Sequence, residues 1–224
     1  MATTLLSHTE YNSMLTIYEA TAAVESFQAT QDLMLFGDIF LKHLMHGAWG
    51  LSLVHRHFDL KPNEIMLELP VSPGANIITK AVDAGQVVEP LVGSNYYFHE
   101  GSKLQAFEYR YGSNATLQEP LQNERFSAFL SDLTRTIAEV GLSNVLGLAP
   151  VTSIRGLETT NYEERENIVK SLVDGAPIKE NYMPTVWVFN EYGPSSPLGC
   201  VVRYYCAGTA PHHNEHWDHV NVPN

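Results

Sequence analysis

The chain has 224 residues, 44% of them hydrophobic and 17% charged, enough to bury one sizeable core without cross-links. Thirteen basic residues against 25 acidic ones give a formal net charge of −12, which repels phosphate backbones and argues against nucleic-acid or anionic-membrane partners. Cys200 and Cys206 are too few for a disulfide framework, and residues 1–11 lack the basic start and apolar run of a secretory signal, so a soluble, cytoplasmic chain is the expectation.

Residues 9–27 place Tyr11, Met14, Leu15, Tyr18 and Ala22 at helical spacing. Thr30 is the candidate cap of a second helix, with Leu33, Phe36, Phe40 and Leu44 as its apolar stripe and Gly47 as its stop. Over residues 49–58 the period falls to two. Trp49, Leu51, Leu53, His55 and His57 share one face; Ser52, Val54, Arg56 and Phe58 share the other. Turn chemistry at 59–63 and renewed alternation at 64–69 predict a hairpin between these two runs. Pro73 and Gly74 open a loop with a short helix after it, and Pro90 interrupts a strand over 86–92.

Residues 95–99 and 103–111 predict an aromatic-rich hairpin. The clearest helix follows, capped by Asn123, with Phe126, Phe129, Leu130, Leu133, Ile137 and Val140 on its buried stripe and Gly141 as its stop. A short strand is expected over 145–149. Thr160 and Glu163 make a capping box that predicts a helix to residue 173. Residues 185–192 and 198–206 predict a last hairpin. Hairpins outnumber any βαβ rhythm, so the expected fold is α+β: a mainly antiparallel sheet of several hairpins with about four helices packed against it. One domain would span residues 1–206, with a histidine-rich tail over 207–224.

Two segments carry candidate chemistry. Cys206 precedes His212, His213, His216 and His219, a thiolate and imidazole set suited to zinc or another transition metal. Cys200 lies six residues before Cys206. On a straight strand the two would be roughly 20 Å apart, too far to share one ion or to form a bridge. The competing reading of the tail is a solvated chain end. In the second segment, His55 and His57 at the end of an apolar strand face suit general acid and base work at a pocket rim, and Arg56 suits a carboxylate clamp. Against this stands a structural role for both histidines near a sheet edge, with Arg56 as a surface or ion-pair residue.

Trp49-Gly50-Leu51-Ser52-Leu53-Val54-His55-Arg56-His57-Phe58, together with the Cys- and His-rich end, resembles a family of filamentous-fungal proteins. The resemblance covers about ten residues closely. It implies a fungal origin and no activity, and it transfers no catalytic residue.

Phosphate-binding glycine loops, a nucleophile elbow, a His-Glu-x-x-His helix and a Cys-x-x-Cys pair are all absent. Two functions stay open: a small-molecule enzyme or ligand-binding protein with a histidine-lined pocket on the sheet, or a non-catalytic interaction or regulatory protein with a metal-binding tail.

Overall fold

Trp49, Leu51 and Leu53 alternate with Gly50 and Ser52 in a five-residue strand, and every one of these residues is buried. A strand buried on both faces must satisfy its backbone on both edges, and this one does. The computed structural model describes residues 4–25, 31–70, 76–99, 103–112, 124–151, 155–172, 179, 181–189 and 200–207. Its strands are β1 Trp49–Leu53, β2 Glu64–Glu68, β3 Ile77–Asp83, β4 Leu91–His99, β5 Lys103–Tyr111, β6 Leu146–Pro150, β7 Gly156–Asn161, β8 Glu166–Ser171, β9 Tyr182–Phe189 and β10 Cys200–Ala207.

These strands close into one barrel in the order β1-β6-β4-β5-β2-β3-β8-β7-β10-β9, and β9 returns to β1 through Leu51–Trp187 and Ser52–Val186. Two of the pairings, β2 with β5 and β7 with β10, are parallel. Strands β6 and β4 approach so closely that a Cβ on Gly147 would lie 2.1 Å from the Tyr96 carbonyl oxygen.

The helices are α1 His8–Asn12, α2 Ile17–Val24, α3 Gln31–Lys42 and α4 Glu124–Glu139. Their apolar stripes meet one sector of the barrel. Ala20 and Val24 of α2, Phe36 and Phe40 of α3, and Phe126, Phe129 and Leu133 of α4 join Trp49, Leu51, Leu148, Trp187 and Phe189 in one buried cluster. Phe40 lies 4.9 Å, centroid to centroid, from both Phe129 and Phe189. Ser52, Ala149 and Val186, on the same strands, line the interior cavity instead. The helix-covered side is therefore the outside of the wall. A smaller cluster of Leu6, Tyr11, Val54, Leu60, Met66 and Phe107 packs the N-terminal segment and α1 against the chain that leaves β1.

The closed barrel corrects the expected open antiparallel sheet with helices packed against it. The pattern of short alternating runs is common to both, but closure depends on which edges meet, and periodicity does not encode that. Three local expectations change as well. Residues 49–58 do not form a hairpin with 64–69: β1 pairs with β6 and β9, whereas β2 pairs with β3 and β5. Residues 160–172 are not helical. β7 and β8 form a hairpin whose turn places Arg165 at φ 53°, and Thr160 bonds His57 and Asn167 rather than capping a helix. The run after Gly74 becomes β3, because Ile77, Ile78 and Thr79 are β-branched and find a partner in β8.

The single helix expected over 9–27 is two, each opened by a capping box: Ser7 with Glu10, and Thr16 with Glu19. The β4–β5 and β9–β10 hairpins and the long helix α4 form where alternation and stripe place them, with Gly141 at φ 74° ending the helix. The candidate caps Thr30 and Asn123 and the loop at Pro73 and Gly74 lie outside the described residues. Among the described residues no helix is long and apolar enough to cross a membrane.

Candidate functional site

A closed barrel of ten strands is wide enough to leave space inside it. Here a cavity of about 130 Å³ draws its wall from all ten strands, which identifies it as the barrel lumen. Ser52, Glu68, Thr79, Asn95, Glu108, Arg110, Glu158, Thr185 and Tyr204 give it polar walls; Ile77, Phe107, Ala149, Val169 and Val186 supply apolar ones. His55, just beyond the end of β1, completes one side.

His55 belongs to a four-residue cluster set in that wall. Donor atoms of His55, His57, Glu158 and Cys206 all lie within 4.8 Å of one another. β1 ends at Leu53, and Arg56 bridges to Thr16 instead of extending the strand. The chain therefore turns, and His55 Nε2 and His57 Nε2 come to face each other at 3.2 Å. Glu158 and Cys206 arrive from the parallel β7–β10 pair, where they are direct register partners. Glu158 Oε2 is 3.3 Å from His57 Nε2 and 3.7 Å from His55 Nε2. The side chains of His57, His55 and Glu158 are 5%, 10% and 16% exposed, and Cys206 is buried. His55 and Glu158 reach the lumen, and His57 sits behind them.

The far sides of both rings are engaged. His55 Nδ1 donates to the Leu53 carbonyl at 2.8 Å. His57 Nδ1 is 2.9 Å from Thr160 Oγ1, which itself donates to Asn167 Oδ1 at 3.1 Å. Thr160 has one proton and gives it to Asn167, so it accepts from His57 Nδ1–H. In their neutral forms both imidazoles thus carry their proton on Nδ1 and aim an Nε2 lone pair at the same small volume, beside a carboxylate oxygen; when protonated, each turns an Nε2–H donor toward Glu158.

Burial alone would lower the His55 pKa, but hydrogen bonding to Glu158 and its charge outweigh this and raise it. For Glu158 burial works upward, yet the charge of His57 and hydrogen bonds from both imidazoles hold it well below the carboxylate range. Glu108, also on the lumen, is pushed up to about 7 by burial and by the charge of Glu158, against the hydrogen bond from Asn95. Burial raises Glu68 as well, opposed by Arg110. One wall thus holds a firmly ionised carboxylate, while the group facing it across the lumen takes up a proton near neutral pH.

The sequence-derived candidates separate. His55 and His57 come together, and Cys206 joins them. Arg56 stands apart: its Nε donates to the Met14 carbonyl at 2.9 Å, its guanidinium pairs with Asp59 at 2.7 Å, and it does not line the lumen. His212, His213, His216 and His219 lie outside the described residues. Sequence reasoning missed Glu158, Thr160 and Glu108. Glu158 and Thr160 alternate at period two in Leu157-Glu158-Thr159-Thr160, a strand signal masked by the apparent capping box at Thr160 and Glu163.

No protein-family model matches the chain, and neither does any curated protein or solved structure.

Proposed function

We propose that the barrel is a small-molecule-binding protein that seats its ligand in the lumen, against the His55, His57 and Glu158 wall. The observation that carries this reading is the cavity itself: interior space bounded by all ten strands, with polar side chains converging on it. An interior filled only for stability would be packed with apolar side chains at crystal-like density.

Size and charge narrow the ligand. A cavity of about 130 Å³ is close to those of roughly 150 Å³ that accept a benzene-sized guest. Among the described residues the lumen is lined by Glu68, Glu108 and Glu158 with one guanidinium, Arg110, which favours a small polar molecule that is neutral or cationic over an anion. Its hydroxyl or amino groups would find acceptors on the carboxylates and on Ser52, Ser94 and Thr185. The Ser94 hydroxyl is buried and has no hydrogen-bond partner among the described residues, an open position for such a group.

Thermal-shift screening of the full chain against polar fragments of six to ten heavy atoms tests this. Amines and polyols should stabilise the protein. Thr185→Trp, which fills the lumen, should abolish the shift while the far-ultraviolet spectrum stays unchanged. Hits that still stabilise Thr185→Trp would place binding elsewhere and remove the proposal.

A further inference from the structure

We propose that His55 Nε2, His57 Nε2, Glu158 Oε2 and Cys206 Sγ form the binding site for one divalent transition-metal ion of the zinc type, set in the barrel wall. The site goes beyond lumen binding and stands on the cluster's own geometry.

The first argument is metric. A tetrahedral ion with N and O bonds of about 2.05 Å holds those donors about 3.3 Å apart along each edge. The three N and O donors here are separated by 3.2, 3.3 and 3.7 Å. Cys206 Sγ lies within 4.8 Å of each, against an edge of about 3.6 Å for a bound thiolate. A bound ion would draw Sγ inward, away from its 3.8 Å contact with the Ala207 carbonyl.

The second argument concerns protons. With both Nδ1–H groups committed to Leu53 and Thr160, the facing atoms are two imidazole lone pairs and a carboxylate oxygen. Acceptors this close repel unless a proton or a metal cation stands between them, and one ion at the centre engages all three at once. The outer partners are those a metal site needs: a backbone carbonyl and a hydroxyl–amide relay fix the tautomer and ring plane of each histidine.

The third argument is the donor set. Two imidazoles, one carboxylate and one thiolate suit zinc, cobalt or iron, and they do not suit the hard oxygen shells of magnesium or calcium. The charges also balance. Two neutral imidazoles with a carboxylate and a thiolate cancel a divalent cation, so the buried site carries no net charge.

The test is metal titration of the full chain after chelator treatment, with zinc and with cobalt(II) as a spectroscopic probe. One ion should bind per chain. Cobalt should give thiolate-to-metal charge transfer in the near ultraviolet and intense visible bands of tetrahedral coordination. The charge-transfer band should vanish in Cys206→Ser and persist in Cys200→Ser, and in a variant with His212, His213, His216 and His219 all replaced by Ala. His57→Ala and Glu158→Gln should weaken binding by roughly 100-fold or more, and Thr160→Val, which removes no donor, by about 10-fold. Far-ultraviolet spectra of each variant separate lost binding from lost folding. Wild-type protein that takes up no stoichiometric ion overturns the proposal without any variant. So does binding that is lost in the tail variant but kept in His57→Ala.

Discussion

His55 and His57 face each other Nε2 to Nε2 at 3.2 Å because each ring is anchored from behind, one by a backbone carbonyl and the other by Thr160. In metal-free protein above the His55 pKa, long-range proton–nitrogen correlation spectra should report the Nδ1–H tautomer for both rings. This is the minority form of free imidazole, so the environment must select it. Thr160→Val should release His57 to the other tautomer and destabilise the protein by about 1–3 kcal/mol through the lost partner. An Nε2–H signal from both rings in wild-type protein contradicts the assignment.

Glu108 sets a pH dependence of the opposite sign to that of an ion-paired carboxylate. Its pKa is raised from 4.5 to about 7 by burial and by the charge of Glu158, with Asn95, His55 and Glu68 also acting on it and Arg110 acting on the neighbouring Glu68. The folded protein therefore holds a proton that the unfolded chain has released. Stability falls as pH rises from about 4.5 to 7, by up to about 3 kcal/mol, and stays reduced above that window. Residual accessibility to the lumen makes this an upper figure. Denaturant titrations of metal-free protein at pH 5 and pH 8 should show the loss, and Glu108→Gln should remove most of it. His55 contributes in the same direction in both proteins, so the difference between them isolates Glu108. Equal slopes for the two would refute the coupling.

Legibility in the sequence follows the range of the interaction. The β4–β5 hairpin, helix α4 and the β9–β10 hairpin rest on local signals: alternation, an apolar stripe and turn chemistry. Barrel closure rests on β1 pairing with β6, about a hundred residues away, and with β9, further still. Nothing in the period of residues 49–53 names those partners. The His55 and His57 pair was legible as two polar residues ending an apolar strand. Its completion was not, since Glu158 sat in a stretch that two conformations could claim. Thr160-x-x-Glu163 reads as a capping box, and tertiary pairing overrode it. Cys206 stood out in the sequence as a candidate ligand beside the tail histidines, whereas its strand partner sets it beside Glu158.

Gly147 marks a close approach of β6 and β4 in the wall. A Cβ there would meet the Tyr96 carbonyl oxygen at 2.1 Å and a Val54 methyl at 2.9 Å. Backbone cannot swing aside as a side chain can, so the β6–β4 spacing must open. Gly147→Ala should cost about 1–3 kcal/mol or more, although alanine is the better residue on unfolded-state entropy. Gly141→Ala is the contrast: nothing lies within 4 Å, and its φ of 74° strains alanine without a clash. Chemical denaturation should rank Gly147→Ala as the more damaging of the two. The reverse order would mean that the wall flexes there.

Arg165 ties the β7–β8 turn to the chain that follows the histidines. Its guanidinium binds both Glu64 carboxylate oxygens, reaches the Asp59 carbonyl at 2.8 Å and lies over the Phe58 ring at 5.4 Å. Lysine has the charge but neither the two-pronged geometry nor the planar face. Arg165→Lys should therefore cost about 1–3 kcal/mol and loosen the segment that carries His57. The hydrogen bond from Arg165 lowers the Glu64 pKa. The stabilisation is complete above the ordinary glutamate range and is lost as pH falls through the lower, folded value. Wild-type protein should consequently resist mild acid better than Glu64→Gln, with the gap between their unfolding midpoints closing toward pH 3. A gap that widens on acidification would show that the pair does not hold the turn.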